Sequence, residues 1–466
     1  MSELSYVARL GPMSRARAAL RLVAVAVLVG ACTGAHASAG WNLASLQALQ
    51  LQSGPLGLEH AWNLALANAP EYQAALSGRA AAALEHQKGR AQLLPVVQAG
   101  YYRGRISGMQ RALNVAAPAL AESSVKYDSN TAYVQLRQPL IDYGRYSAYQ
   151  AGQQRAAVGE AEYRVHTADL AARLVDTYLN AVHAQELLQL RRAHVEALQA
   201  LSAAVAGLHA RDEASSIDLG EIEARLSLAR SDQISAQYEL NANLRALKAL
   251  VGEDVAEVAS AVTLPLPEPS HIGSLPEWLE TARQQAPYIG LARAREALAR
   301  AQVSVAASGH LPRLEAIAGW TKADSENLST LSQRYNTFTV GLNLEIPLTD
   351  GGRTTAAHAE ARAQLQQAEH ELAAAREAVF VETTREYKRM RGGIDRVAAL
   401  SSAVASAWKA RSAAETSYRL GAASVIDVLK AEQRLLEARQ QLMEARIEAM
   451  RGAAILQIVA SGVFTL

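Results

Sequence analysis

Two short motifs hold the residues of this chain best placed to do chemistry: Asp142-Tyr143-Gly144-Arg145 and Asp350-Gly351-Gly352-Arg353. An aspartate near an arginine is a candidate acid, base or anion site. No His, Cys or second carboxylate lies within either motif or directly beside it, and a catalytic aspartate needs such a partner. Nor is the glycine pair followed by the Lys-Ser/Thr of a phosphate-binding loop. The motifs read instead as a turn from extended chain into helix, in which Gly144 and Gly352 permit the turn and Asp142 and Asp350 cap the helix start ahead of Arg145 and Arg353.

A second group of polar residues lies in Tyr418-Arg419-Leu420-Gly421-Ala422-Ala423-Ser424-Val425-Ile426-Asp427-Val428-Leu429-Lys430. Gly421 is expected to end one helix, and Asp427 to lie one to two turns into the helix that returns. Ser216-Ile217-Asp218 is the earlier counterpart, but Asp212 stands where a second Gly421 would be expected, so the two reversals are not equivalent. The 11 histidines are scattered without metal-ligand spacing, and no metal or cofactor is expected.

Cys32 is the only cysteine, so no disulfide forms within the chain. It follows Arg15, Arg17, Arg21 and the apolar run 22–29, which together make a secretory signal peptide ending at Ala35-His36-Ala37. Residues 1–37 are therefore read as a segment removed on export, whether translation starts at Met1 or Met13. Val29-Gly30-Ala31-Cys32 also resembles a lipoprotein cleavage site, which would make Cys32 an acylated first residue.

The elements that position these residues occur twice. Ala69-Pro70 and Leu94-Pro95 return as Ala286-Pro287 and Leu311-Pro312 at an offset of 217. Pro139-Leu140-Ile141-Asp142 returns as Pro347-Leu348-Thr349-Asp350. Such repetition predicts one domain built from two copies of a unit. The expected organisation is a first repeat over 54–264, a proline-rich linker over 265–276, a second repeat over 277–460 and a short tail over 461–466. With 46 basic and 45 acidic residues, the charge balance gives no support to nucleic-acid binding.

No proline occurs between Leu140 and Leu264 or after Leu348, and both stretches read as helix. Leu365, Ala368, Leu372, Ala375 and Val379 keep heptad spacing, as do Leu435, Ala438, Leu442, Ala445 and Ala449. Ile222, Leu226, Ala229, Ala236, Leu240 and Leu247 nearly do so. The helix from Arg145 to about Ala206 would be roughly 90 Å long. Gly392-Gly393 within the last long stretch marks a bend or a helix crossing.

Before each long helix comes a strand pattern. Residues 337–346 alternate strictly, with Phe338, Val340, Leu342, Leu344 and Ile346 against Thr337, Thr339, Gly341, Asn343 and Glu345. The length suits a tilted strand crossing a bilayer. Residues 131–140 match it more weakly. Residues 97–101 and 314–320 supply the other arm of each hairpin, with Tyr101 and Trp320 suited to a membrane interface. Segments 104–130 and 321–334 read as loops at the hairpin tips. Four strands cannot close a barrel, and an open edge in lipid leaves backbone groups unsatisfied, so closure requires several chains.

This duplicated series of helix, Leu-Pro, hairpin, Pro-Leu-x-Asp-x-Gly-Arg, long helix, Tyr-x-x-Gly-x-x-x-x-Ile-Asp-Val-Leu and final helix resembles the TolC-type outer-membrane factors over roughly residues 54 to 460. The resemblance implies a mainly helical chain with transmembrane β-structure. It implies a homotrimer whose twelve strands form one outer-membrane barrel, continued by a helical tunnel through the periplasm. It also implies docking, through a periplasmic adaptor, on an inner-membrane ABC transporter in type I secretion of a protein toxin, with no enzymatic activity. A proton-driven multidrug efflux pump is the alternative, and a periplasmic structural coiled coil a second one. Tyr418, Asp427, Lys430 and Asp218 would then lie at the periplasmic entrance. The family's arginine position is Ala423 here and its second aspartate position is Lys430.

Overall fold

The computed structural model describes residues 54–113, 120–211, 214–261, 264, 266, 272–326 and 332–462. The chain divides into two units, Met1–Gly54 and Pro55–Leu466, and the second holds every helix and strand of the described residues. The signal segment, Cys32, Asp212, Pro265, Pro267 and Pro269 lie outside the described residues.

The described residues form eight α-helices and four strands, in an order that repeats. The first copy runs α1 (Leu58–Asn68), α2 (Pro70–Ala91), β1 (Val96–Leu113), β2 (Leu120–Asp142), α3 (Tyr143–His209) and α4 (Ser216–Val251). The second runs α5 (Leu275–Gln285), α6 (Pro287–Ala307), a short 3-10 turn (Ser308–His310), β3 (Arg313–Glu326), β4 (Ser332–Glu345), α7 (Arg353–Arg419) and α8 (Val425–Ser461). The repeated Ala-Pro dipeptides are breaks between helices: Ala69 and Ala286 are extended, with ψ of 116° and 127°, because a residue before proline avoids the helical region. Pro276 lies in the first turn of α5.

Both long helices have 67 residues, about 100 Å at 1.5 Å per residue. Helix α3 packs against α2 and α4 and also against α6 and α8, while α7 packs against α6 and α8. The wall therefore has four columns, two of them single long helices and two made of shorter helices in succession. The heptad residues are the contacts: Ile222, Leu226, Ala229, Ala236, Leu240 and Leu247 of α4 are buried, as are Ala368, Leu372 and Val379 of α7 and Leu435, Ala445 and Ala449 of α8. Helix α7 runs through Gly392-Gly393 unbroken. The pair marks a crossing, because a Cβ on Gly393 would lie 2.9 Å from the Ala449 backbone.

The largest core cluster joins the two ends of the first repeat to α3 and α8. Tyr178, Leu174 and Val175 pack on Leu58, Ala61, Leu247, Val251, Ile447 and Ala454. Leu56 and Val258 form a parallel bridge. Gln185 closes both backbone groups of Val258, at 2.8 and 3.0 Å, and the Tyr178 hydroxyl donates to the Leu56 carbonyl at 2.8 Å. These bonds fix the two ends of the first repeat to the middle of the long helix.

The strands form one antiparallel sheet in the order β1-β2-β3-β4. They are longer than the alternation predicts. Both strands of the first hairpin continue through much of 104–130, to Leu113 and from Leu120, and β3 and β4 continue through most of 321–334, to Glu326 and from Ser332. Apolar periodicity fails there, but the backbone ladder continues, with polar residues facing across it: Arg105–Asp128 at 3.9 Å and Arg334–Asp324 at 3.2 Å.

Candidate functional site

The sheet has two unlike faces. Directly opposed residues share a face, and alternate residues switch face. Register therefore places Val97, Ala99 and Tyr101 of β1 with Ala132, Val134 and Leu136 of β2, Leu314, Ala316, Ala318 and Trp320 of β3, and Phe338, Val340, Leu342 and Leu344 of β4. The other face carries Gln98, Gly100, Thr131, Tyr133, Gln135, Glu315, Thr321, Thr337, Thr339, Asn343 and Glu345. The apolar face is bare: Phe338, Val340 and Leu342 are about 70% exposed. From Leu344 to Phe338 it spans roughly 20 Å along the strand. Tyr101, Trp320 and Phe338 edge it, with the Trp320 indole donating to Asn336 at 2.6 Å. An apolar band with an aromatic margin backed by a polar face is the arrangement of a strand wall between lipid and water.

The two strand-to-helix turns differ in detail. The Arg145 amide donates to Asp142 Oδ1 at 3.0 Å, so Asp142 is the cap expected. Arg145 then reaches Glu315 of β3 at 3.1 Å and the Gln92 carbonyl at 3.2 Å. In the second copy Gly352 is the residue flanking the helix, with φ of 86°. Asp350 acts from farther back, accepting from the Thr354 amide at 2.9 Å and from its hydroxyl. Arg353 pairs with Asp350 at 3.8 Å and its side chain is 86% exposed. Both turns shape the backbone: each aspartate accepts from an amide at the start of its helix.

At the far end of α7, Gly421 takes φ of 72° and turns the chain. Asp427 is closer to the turn than expected. Ser424 caps α8, and Asp427 is the third helical residue, completing a capping box: its carboxylate accepts from the Ser424 amide at 3.1 Å and hydroxyl at 2.8 Å, and its own amide donates back at 3.2 Å. The Ser424 hydroxyl and amide, with Lys430 adding a smaller pull, hold the Asp427 carboxyl below its ordinary range. Lys430 is exposed one turn along. Tyr418 and Asp218 come together from the two copies. Burial, and then the Asp218 charge, raise the Tyr418 phenol above its ordinary value. Beneath them Val425 and Leu429 pack on Val195, Leu198, Ile222 and Leu226, with Tyr418 at the margin, so one apolar cluster locks the two reversals.

Sequence reading missed a charged brace higher in the same hairpins. Glu432 of α8 accepts from Arg411 of α7 at 3.0 Å and faces His194 of α3 at 3.8 Å. Arg411 also pairs with Glu415 at 3.3 Å. The His194 ring and the Arg411 guanidinium hold Glu432 below its ordinary range despite its burial. Only the fold brings His194 to Glu432; no spacing rule links them.

The sequence profile of the family described as Outer membrane efflux protein matches residues 61–253 and 278–456. Proteases secretion protein PrtF of Dickeya chrysanthemi is 31% identical over 385 residues, 81% of this chain and 82% of that one. Alkaline protease secretion protein AprF of Pseudomonas aeruginosa is 29% identical over 382 residues, 82% of this chain and 79% of the other. The solved structure of the outer membrane protein VceC from Vibrio cholerae superposes with a TM-score of 0.75 over 87% of this chain and 96% of its own, at 18% identity.

Proposed function

Since this chain belongs to the outer membrane efflux protein family, we propose that it is the outer-membrane duct of a type I secretion machine, carrying a secreted protein to the exterior. The chain lies in the outer membrane and extends into the periplasm. The observation that carries the choice of cargo is the similarity to PrtF and AprF, both named for protease secretion, across about four-fifths of each chain.

The architecture supports the duct. A four-stranded sheet with free edges at β1 and β4 closes only with other copies, and three copies supply twelve strands. The apolar face then meets lipid and the polar face lines the passage, which continues between the helices. An inner-membrane ABC transporter, through a periplasmic adaptor, supplies the energy. The reversal with Tyr418, Asp218, Asp427 and Lys430 lies at the periplasmic entrance, where a ring of copies brings several carboxylates and ammonium groups together. This reading assigns the chain transport and no catalytic step.

The family description itself, which names efflux, favours a second reading, the outer duct of a drug efflux pump. Deleting the gene while following both culture-supernatant proteins and drug susceptibility separates the two. Loss of one large secreted protein at unchanged susceptibility is the expected result. Unchanged secretion with heightened susceptibility overturns it in favour of efflux.

A further inference from the structure

The two repeats give the same register twice. Val96 pairs with Arg137, and Arg313 pairs with Glu345. Positions in β1 and β3 thus correspond at an offset of 217, and positions in β2 and β4 at an offset of 208. Structure and sequence agree on both offsets.

The two hairpins end differently, however. Strand β2 continues past Arg137 to Asp142 because Gln138, Pro139, Ile141 and Asp142 pair with Ala316, Glu315, Leu314 and Arg313 of β3. The corresponding residues 346–350 follow the end of β4 and have no strand partner among the described residues. Ile346 is 55% exposed and Leu348 91%. The next turn repeats the contrast. A Cβ on Gly144 would lie 3.0 Å from Ser308 Oγ of the second copy, whereas one on Gly352 would meet nothing within 4 Å. Arg145 reaches across to Glu315, and Arg353 has no such acceptor among the described residues. These three contacts, which the second repeat gives the end of the first hairpin, are missing from the end of the second among the described residues. The surface that would supply them is the free edge of β1.

We infer that residues 346–350 of one copy complete an antiparallel ladder on residues 96–99 of a second copy, reproducing the joint between the repeats. The offsets fix the register: Ile346 opposite the partner's Ala99, Pro347 opposite the partner's Gln98, Thr349 opposite the partner's Val97 and Asp350 opposite the partner's Val96, with Leu348 bulged as at the irregularity between Pro139 and Ile141. Arg353 then donates to the side-chain carbonyl of the partner's Gln98, the counterpart of Glu315. This inference rests on the closed multi-chain barrel proposed above and adds its register and contacts. The joint between copies is chemically weaker than the joint within one, because an amide acceptor replaces a carboxylate.

Cysteine pairs in the full-length chain test the register. Pro347→Cys with Gln98→Cys, oxidised in isolated outer membranes, is expected to give covalent dimers and trimers on non-reducing gels. Asn343→Cys with Gln98→Cys, four residues out of register, is expected to give none, and neither are the single variants, which control for Cys32. Cross-links from the second pair and not the first overturn the register while leaving the closed barrel standing. Absence from both, with oligomers intact on native gels, overturns the joint. A monomeric unmodified protein in the membrane overturns the barrel reading beneath it. Separately, Gln98→Glu copies the stronger joint. It is expected to raise the temperature at which the oligomer dissociates by several degrees, with no gain when Arg353→Ala is also present. An unchanged temperature, or a gain that survives Arg353→Ala, overturns the arginine contact.

Discussion

Both near contacts of the Asp427 carboxylate are with Ser424, so the charge proposed to influence ion flow at the entrance also stabilises a helix start. Two substitutions separate these roles. Asp427→Asn keeps an acceptor for the Ser424 amide and removes the charge; Asp427→Ala removes both. Reversal potentials in a salt gradient across planar bilayers are expected to move away from cation preference in both variants, with only the alanine variant also showing noisier, less stable openings. Unchanged reversal potentials would show that the residue is a cap and nothing more. Glu432 offers a pH test. Its pKa is depressed in the folded state by His194 and Arg411, so its contribution is complete above the ordinary value of 4.5 and fades as pH falls through the lowered value. Glu432→Gln is expected to lose about 1–3 kcal/mol at pH 7, seen as a lower melting temperature of the helical signal. The gap from the unsubstituted protein should close in acid; a gap that persists there would point to lost packing rather than lost charge.

At the level of elements, helices α7 and α8 touch through glycine. Gly393 lies against the Ala449 backbone, and Gly452 lies 2.7 Å, in Cβ terms, from the Met390 amide. Gly393→Ala therefore forces the helices apart and is expected to cost about 1–3 kcal/mol. Its neighbour Gly392 has open space, and Gly392→Ala is expected to gain about 0.5–1 kcal/mol from helix propensity alone. Thermal melts of the two variants should move in opposite directions. Sequence showed that this glycine pair mattered but not which of the two made the contact, since only the rotation of α7 about its axis decides that. Legibility elsewhere follows the same division. The heptads and the Asp142 cap were readable because each is set by neighbours in sequence, whereas Gly144 lies inside α3 without a positive φ and Gly352, not Asp350, flanks α7. The outer reaches of the strands were not, because the backbone ladder that holds them pairs segments whose side chains carry no apolar alternation. The depth of Asp427 in its helix could have been read from Ser424-Val425-Ile426-Asp427, a capping-box spacing. The contact of His194 with Glu432 gave no local signal.

For the whole molecule, the two faces of the sheet make opposite predictions for one kind of substitution. Val340→Arg puts a charge on the apolar face and is expected to cost about 2–4 kcal/mol at mid-membrane depth, lowering the amount of assembled protein in outer-membrane fractions. Thr339→Arg, one residue away on the polar face, should assemble normally and reduce single-channel conductance. Equal assembly of both variants would mean that the apolar face does not meet lipid. The order of the strands bears on how the chain reaches its destination. The central pair β2–β3 joins residues as distant as Val134 and Trp320, so the sheet forms late, after most of the chain is present. On the proposed multi-chain reading, each copy has a bare apolar sheet and two open strand edges until copies meet, the condition under which chains aggregate edge to edge. On the multi-chain reading biogenesis is therefore the vulnerable stage, and its yield is expected to fall steeply as the rate of synthesis rises.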